Sequence, residues 1–192
     1  MKCAIVVAHP DDETLWCGGL PLMYPQHDWT IYAVAIPRRD PERVDCFIRA
    51  CDSLGAKCVL PSIEEKGPTI GLNMNPFMRD YLFYDYDYIL THGPFGEYGH
   101  THHRQVYGRI VTRYYSHVRM GFIGWDNNNR YQGKVFDLPD FVLRKKKEAL
   151  KKYDQKLKYK GSQIPLWEAL IDKYSQMGFN IAKESYTGEL PD

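Results

Sequence analysis

The sequence predicts an α/β fold with a mostly parallel sheet, and three observations carry that expectation. Apolar runs of strand length recur at residues 3–8, 29–36, 57–60, 87–91 and 120–123. Stretches of helical period lie between them, above all at 41–54 and 101–115. Breakers close the key runs, Pro10 after the first and His92-Gly93-Pro94 after the fourth. Strands alternating with helices are the pattern of parallel βαβ units.

Residues 3–8 (CAIVVA) are continuously apolar, as a strand buried on both faces requires. Residues 14–23 open a helix that Gly18-Gly19 weakens. Residues 29–36 (WTIYAVAI) are a second, β-branched strand. The helix over 41–54 aligns Val44, Phe47, Ile48, Cys51 and Leu54 on one stripe. Pro41 suits its first turn and Gly55 its end. Residues 57–60 give a third strand, and 61–76, rich in Pro, Gly and Asn, a loop. A short helix over 76–84 precedes the fourth strand, 87–91. A glycine-bearing loop then runs to Gly99, and the helix over 101–115 carries Val106, Ile110, Val111 and Tyr114. Residues 120–123 are a fifth strand, and 134–136 a sixth or a hairpin arm.

A long basic helix over 140–159 buries Phe141, Leu143, Ala149, Leu150, Tyr153 and Leu157. Its run Arg144-Lys145-Lys146-Lys147 reads as a solvated face. A last helix covers 166–177, and the tail beyond Gly188 is expected to fray. No repeat or linker divides the chain, so residues 1–192 are expected to form a single domain.

The totals exclude several function classes. A net charge of +1 offers no global field for nucleic acid. No apolar stretch approaches a membrane span, so no membrane insertion is expected. Cys3, Cys17, Cys46, Cys51 and Cys58 are odd in number and form no CxxC pair. They read as free thiols of a reducing, cytoplasmic setting. The 15 tyrosines are expected chiefly to pack at element ends.

The chemistry concentrates after the first and fourth strands. Ligands of open α/β sheets bind beyond the carboxyl ends of strands, and right-handed crossovers bring those ends to one edge. The first cluster offers His9, Asp11, Asp12 and Glu13. Three consecutive carboxylates repel one another, and a divalent cation is a natural compensator; an acidic start to the next helix is the plainer alternative. The second cluster has His100 and His103 three apart on one helix face, with His102 turned elsewhere. Imidazole and carboxylate together suit zinc, and a catalytic zinc keeps three protein ligands and one open position.

With Ala8-His9-Pro10-Asp11-Asp12-Glu13 and the segment 91–103 (THGPFGEYGHTHH), the chain resembles the PIG-L/LmbE-like family of zinc N-deacetylases. That family includes the N-acetylglucosaminyl-phosphatidylinositol de-N-acetylases. A helix bearing Arg43 twelve residues before Gly55 extends the match, which covers roughly the first 125 residues. The resemblance implies a Rossmann-like three-layer fold and one divalent cation, usually Zn2+. It implies His9, Asp12 and His103 as metal ligands, Asp11 as general base and His100 as the residue stabilising charge on the substrate carbonyl. It implies Tyr98 as a second polarising group and Arg43 as a substrate contact. The substrate would be a small N-acylated amino sugar or glycoside. Where members commonly have Pro-Asp between the two histidines, this chain has Thr101-His102. Its short length leaves little material for a substrate-defining lid.

Other positions keep two readings. Glu13 either caps the following helix or supports His9. His92 either lines the pocket or satisfies a loop. Trp16, Phe95 and Trp125 either stack on a sugar or pack, and segment 125–130 either binds hydroxyls or turns. A non-catalytic α/β binding module and a metal-dependent phosphoesterase compete with the deacetylase. The second is disfavoured because no Gly-rich phosphate loop follows the first strand. Oligomeric state stays open.

Overall fold

A computed structural model describes residues 1–37, 40, 42–60, 63–67, 69–128, 130–154 and 164–192. In chain order it runs β1 (Lys2–Val7), α1 (Asp12–Cys17), α2 (Gly19–Met23), β2 (Asp28–Ala33), β3 (Ala35–Pro37), α3 (Arg43–Ser53), β4 (Lys57–Val59) and β5 (Ile63–Glu65). Then follow α4 (Asn75–Asp80), β6 (Tyr88–Thr91), α5 (Gly96–Gly99), α6 (Thr101–Tyr114), β7 (Arg119–Ile123), β8 (Trp125–Asp126), β9 (Arg130–Tyr131) and β10 (Lys134–Asp137). The chain closes with α7 (Asp140–Leu150), α8 (Leu166–Gln176) and β11 (Lys183–Gly188).

Seven strands form one sheet in the order β10-β11-β7-β6-β1-β2-β4. The five from β7 to β4 are parallel, and β11 and β10 add antiparallel at one edge. The predicted mostly parallel, Rossmann-like α/β fold is therefore correct. β1 is the middle strand of these five, which explains its unbroken apolar run. Cys3, Ile5 and Val7 join a core with Trp16, Phe47, Leu150 and Tyr174, from α1, α3, α7 and α8. Ala4, Val6 and Ala8 join the opposite core with Phe77, Val106 and Ile110, from α4 and α6. Helices on both faces of a sheet make three layers.

Several elements depart from the sequence expectation. The second apolar run divides at Val34, and its end, β3, pairs with β5 in a separate two-stranded sheet. The loop expected over 61–76 thus contains a strand. In α3 the buried face is Cys46, Phe47, Ala50 and Cys51, while Ile48 is exposed. α7 ends at Leu150, with Phe141 exposed; Leu157 lies outside the described residues. Within the basic run, Lys146 is fully buried and donates to Glu184 Oε1 at 2.6 Å. The run is solvated except at this position, because α7 packs Lys146 against β11. The chain end does not fray: β11 pairs with β7 and β10, Glu189 N donates to the Met120 carbonyl, and Arg119 grips Glu189 and Asp192. No helix among the described residues is long and apolar enough to cross a membrane.

Candidate metal and catalytic site

β1 ends at Val7 and β6 at Thr91, and these neighbouring parallel strands deliver both clusters to one sheet edge. Asp11, just before α1, has φ 111°, and Glu97, inside α5, has φ 57°. They are the non-glycine residues with positive φ among the described ones. Such backbone costs of order 1–3 kcal/mol each and persists only where the surroundings enforce it. Here they do. Glu13 Oε2 accepts from Asp11 N at 2.9 Å, and Tyr153 OH donates to Glu13 Oε1 at 2.7 Å. Glu13 therefore neither caps a helix nor supports His9; it braces the turn that carries Asp11. Glu97 Oε1 accepts from Gly93 N at 3.0 Å.

Asp12 is central. Trp16 Nε1 donates to its Oδ1 at 3.0 Å. Its Oδ2 faces His9 Nδ1 and His103 Nε2, each at 3.3 Å. Ligand atoms of His9, Asp12 and His103 all lie within 4.8 Å of one another, and all three residues are buried. His103 Nδ1 pairs with Glu97 Oε2, while its buried Nε2 makes no hydrogen bond. A buried nitrogen without a partner, aimed at a carboxylate, fits a metal ligand whose other nitrogen is held from behind.

The charge balance supports this. Burial would lower the His103 imidazole, but Asp12 and Glu97 outweigh it and raise it to about 10. Burial would raise Asp12, yet His103 and His9 hold it well below the ordinary carboxylate range. The pocket demands positive charge there. A proton supplies it without metal, and a divalent cation would displace that proton. The other donor groups among the described residues, His9–His100–His102 and His92–Glu97–His103, each share a histidine with this one, so they offer no independent second set for the two cations of a phosphoesterase.

Asp11 stands beside it with Arg43 Nη1 at 3.1 Å from its Oδ2. Burial raises Asp11 to about 7, against the opposing pull of Arg43. Arg43 also binds Asp40 at 2.9 Å. His100 presents a buried Nδ1 with no hydrogen bond. Burial and neighbouring imidazoles push it down to about 3. His9, Asp11, Asp12, Arg43, Tyr98 and His100 line a cavity of about 220 Å³. Of the seven residues the resemblance assigned a role, all except His103 thus line one cavity, and His103 lies against Asp12.

Other candidates resolve differently. His92 Nε2 accepts from Ala8 N at 2.8 Å and its Nδ1 lies 2.9 Å from Glu97 Oε2. It ties the two loops together. His102 does not turn elsewhere: its Nδ1 lies 2.9 Å from His9 Nε2. Trp16 and Trp125 stack on each other in the core at 5.0 Å, and Phe95 is exposed. Segment 125–130 starts a β8–β9 hairpin whose turn Asp126 holds through Asn128 N at 2.7 Å; Asn129 lies outside the described residues. Sequence reasoning missed Glu97, Glu65, Lys173 and Tyr174. Glu97 sits inside the quoted 91–103 segment, but only the folded loop gives it work. Glu65, Lys173 and Tyr174 reach the cavity from β5 and α8, with no local motif.

Fold and site together define a Rossmann-like α/β protein with a candidate divalent-metal centre at the carboxyl edge of its sheet. No family model matches the chain, and no curated protein does. Solved structures do. N,N'-diacetylchitobiose deacetylase from Pyrococcus horikoshii matches with TM-score 0.63 and 14% identity, over 98% of this chain and 84% of its own. A deacetylase of teicoplanin biosynthesis matches with TM-score 0.62 and 13% identity, over 98% and 99%. The 4-carboxy-2-hydroxymuconate hydratase of Pseudomonas putida matches with TM-score 0.62 and 16% identity, over 100% and 98%. These likenesses establish the fold. Because one fold here serves deacetylases and a hydratase, the reaction must be argued from the site.

Proposed function

We propose that this chain is a PIG-L/LmbE-like, single-domain, zinc-dependent N-deacetylase that hydrolyses the amide of an N-acylated amino sugar or glycoside. The observation that carries the reading is the His9, Asp12 and His103 donor set with the orphaned His103 Nε2 at its focus. Two of the structural neighbours are named as deacetylases, one acting on a diacetylated chitobiose and one in teicoplanin biosynthesis. A second structure of the teicoplanin enzyme is described as zinc-inhibited. A cavity of about 220 Å³, lined by His9, Asp11, Asp12 and His100, opens over this donor set.

His9, Asp12 and His103 would hold the cation. When bound, it would act as a Lewis acid and make water nucleophilic near neutral pH. The rest falls to the protein. Asp11 takes a proton from the attacking water and passes it to the departing amine. Its raised pKa of about 7 suits both halves of that task, and Arg43 keeps its carboxylate from swinging away. Burial and the neighbouring imidazoles push the His100 pKa down, and its ring would donate an N–H to the carbonyl oxygen. Tyr98 stands beside His100, ring centroids 5.4 Å apart, as a second donor. One preorganised donor of this kind is worth roughly 2.7–4 kcal/mol of barrier. The products are a free amine and a carboxylate.

The test joins zinc content by elemental analysis to acetate release from N-acetylglucosamine and its glycosides. One zinc per chain with chelator-sensitive release is expected. A metal-free protein with no affinity for zinc would leave the binding module. Phosphate release from sugar phosphates without acetate release would favour the phosphoesterase.

A further inference from the structure

His102 has no part in the mechanism above, yet it is fully buried beside the site. Its Nε2 lies 2.9 Å from the Ile70 carbonyl. A carbonyl only accepts, so Nε2 carries a proton, and Nδ1 is the nitrogen turned to His9, with Glu65 Oε2 at 3.5 Å from it. That Nδ1 lies 2.9 Å from His9 Nε2. Glu65 Oε2 lies 3.1 Å from the same His9 nitrogen. A cation taken through His9 Nδ1 leaves the His9 proton on Nε2, where Glu65 Oε2 and His102 Nδ1 stand ready to accept it. His9 Nδ1, the nitrogen turned to Asp12 Oδ2, is then the one free to bind the cation. His103 is held in the same way, with Glu97 behind Nδ1 and Nε2 turned to Asp12 Oδ2.

We propose that His102 and Glu65 are positioning residues that lock His9 in the tautomer able to bind a divalent cation through Nδ1. The chain of donors runs from His9 to His102 to the Ile70 carbonyl. Glu65 enters from β5, whose pairing with β3 sets Glu65 opposite Pro37, away from the main sheet. The proposal rests on the metal-centre reading and adds to it residues that never touch the ion. Partners of this kind typically change metal affinity roughly 10- to 100-fold.

The experiment measures zinc affinity by competition with a chromophoric chelator, alongside thermal melts of the metal-free proteins. It compares the unaltered chain with His102→Leu, His102→Asn and Glu65→Ala. The Asn carbonyl oxygen can stand where Nδ1 stood, so this variant restores the acceptor without the ring. Expected results are one tight zinc in the unaltered chain, roughly 10- to 100-fold weaker binding in His102→Leu, recovery in His102→Asn and a smaller loss in Glu65→Ala. Metal-free melting of His102→Asn should stay near that of the unaltered chain. Three results would overturn the proposal alone: unchanged affinity in His102→Leu, equal losses in the Leu and Asn variants, or a second zinc equivalent that His102→Leu removes. The last would make His102 a ligand. If His102→Leu does not fold, Glu65→Ala and His102→Asn decide by the same criteria. No zinc binding by the unaltered chain would overturn the metal centre itself, and with it this proposal.

Discussion

Neighbouring side chains in the site have opposite electrostatic fates. Asp11 and Asp12 are adjacent and buried, yet burial lifts Asp11 to about 7 while imidazoles hold Asp12 ionised. The left-handed Asp11 backbone separates them, turning one carboxylate to Arg43 and the other to His9 and His103. Asp11→Ala should therefore keep its zinc and lose roughly 10²–10⁴-fold in turnover, read as acetate release from metal-loaded protein. Near-normal turnover would remove Asp11 from the role of base. His103→Ala should lose zinc, which elemental analysis reads directly. The cysteines make a separate test. Burial raises the Cys3 thiol to about 11 and pushes Cys17 and Cys51 well up. Half-buried Cys58 is lowered to about 7 by a hydrogen bond from Cys51. Because the thiolate is the reactive form, an alkylating reagent at neutral pH should label Cys58 before those three, as mass spectrometry of peptides would show.

At the level of elements, the short turn α5 does more than the loop expected there. It puts Glu97 between His92 and His103 and ends where α6 begins. Gly96 has φ 66°, and a Cβ there would come within 3.2 Å of Arg104 N and 3.3 Å of His103 Cβ. Gly96→Ala should cost roughly 1–2 kcal/mol from the left-handed backbone alone, and should weaken zinc binding by displacing His103. Urea unfolding and chelator competition read the two effects. The packing of α7 on β11 supplies another. Glu184 holds Lys146 at 2.6 Å and Gly19 N at 2.8 Å with no exposure. Truncating one partner of a buried pair strands the other charge, so Lys146→Met should destabilise by about 3–5 kcal/mol. A urea midpoint close to that of the unaltered chain would refute it.

For the whole molecule, the sheet edge links metal binding to stability. Strands β1 and β6, helix α6 and the loops between them all contribute to the cluster, and an unfolded chain has no such site. Zinc at 100 times its Kd should add about 2.7 kcal/mol, which for a chain of this size raises Tm by roughly 5–10 °C. Chelator should reverse the shift. A Tm indifferent to zinc would argue against a native metal centre.

The sequence by itself determined the fold class and the meeting of the two clusters. Apolar runs of period suited to buried strands fixed β1, β2, β6 and β7, and the handedness of βαβ crossovers placed their ends together. His9, Asp11, Asp12, His100 and His103 were legible because strand ends concentrate chemistry. Only the tertiary structure decided the supporting residues. Glu65 reaches His9 across 56 positions of chain through the β3–β5 pairing, an interaction with no local period. β11 escaped notice because Lys183–Gly188 (KESYTG) is polar in sequence, yet its Glu184, Ser185 and Tyr186 are buried by an antiparallel edge pairing. Lys146 looked solvated because helical period cannot tell which cation in a basic run will meet a buried carboxylate. Local pattern reports which residues prefer water or the core, whereas partners distant in sequence are chosen only when the sheet closes.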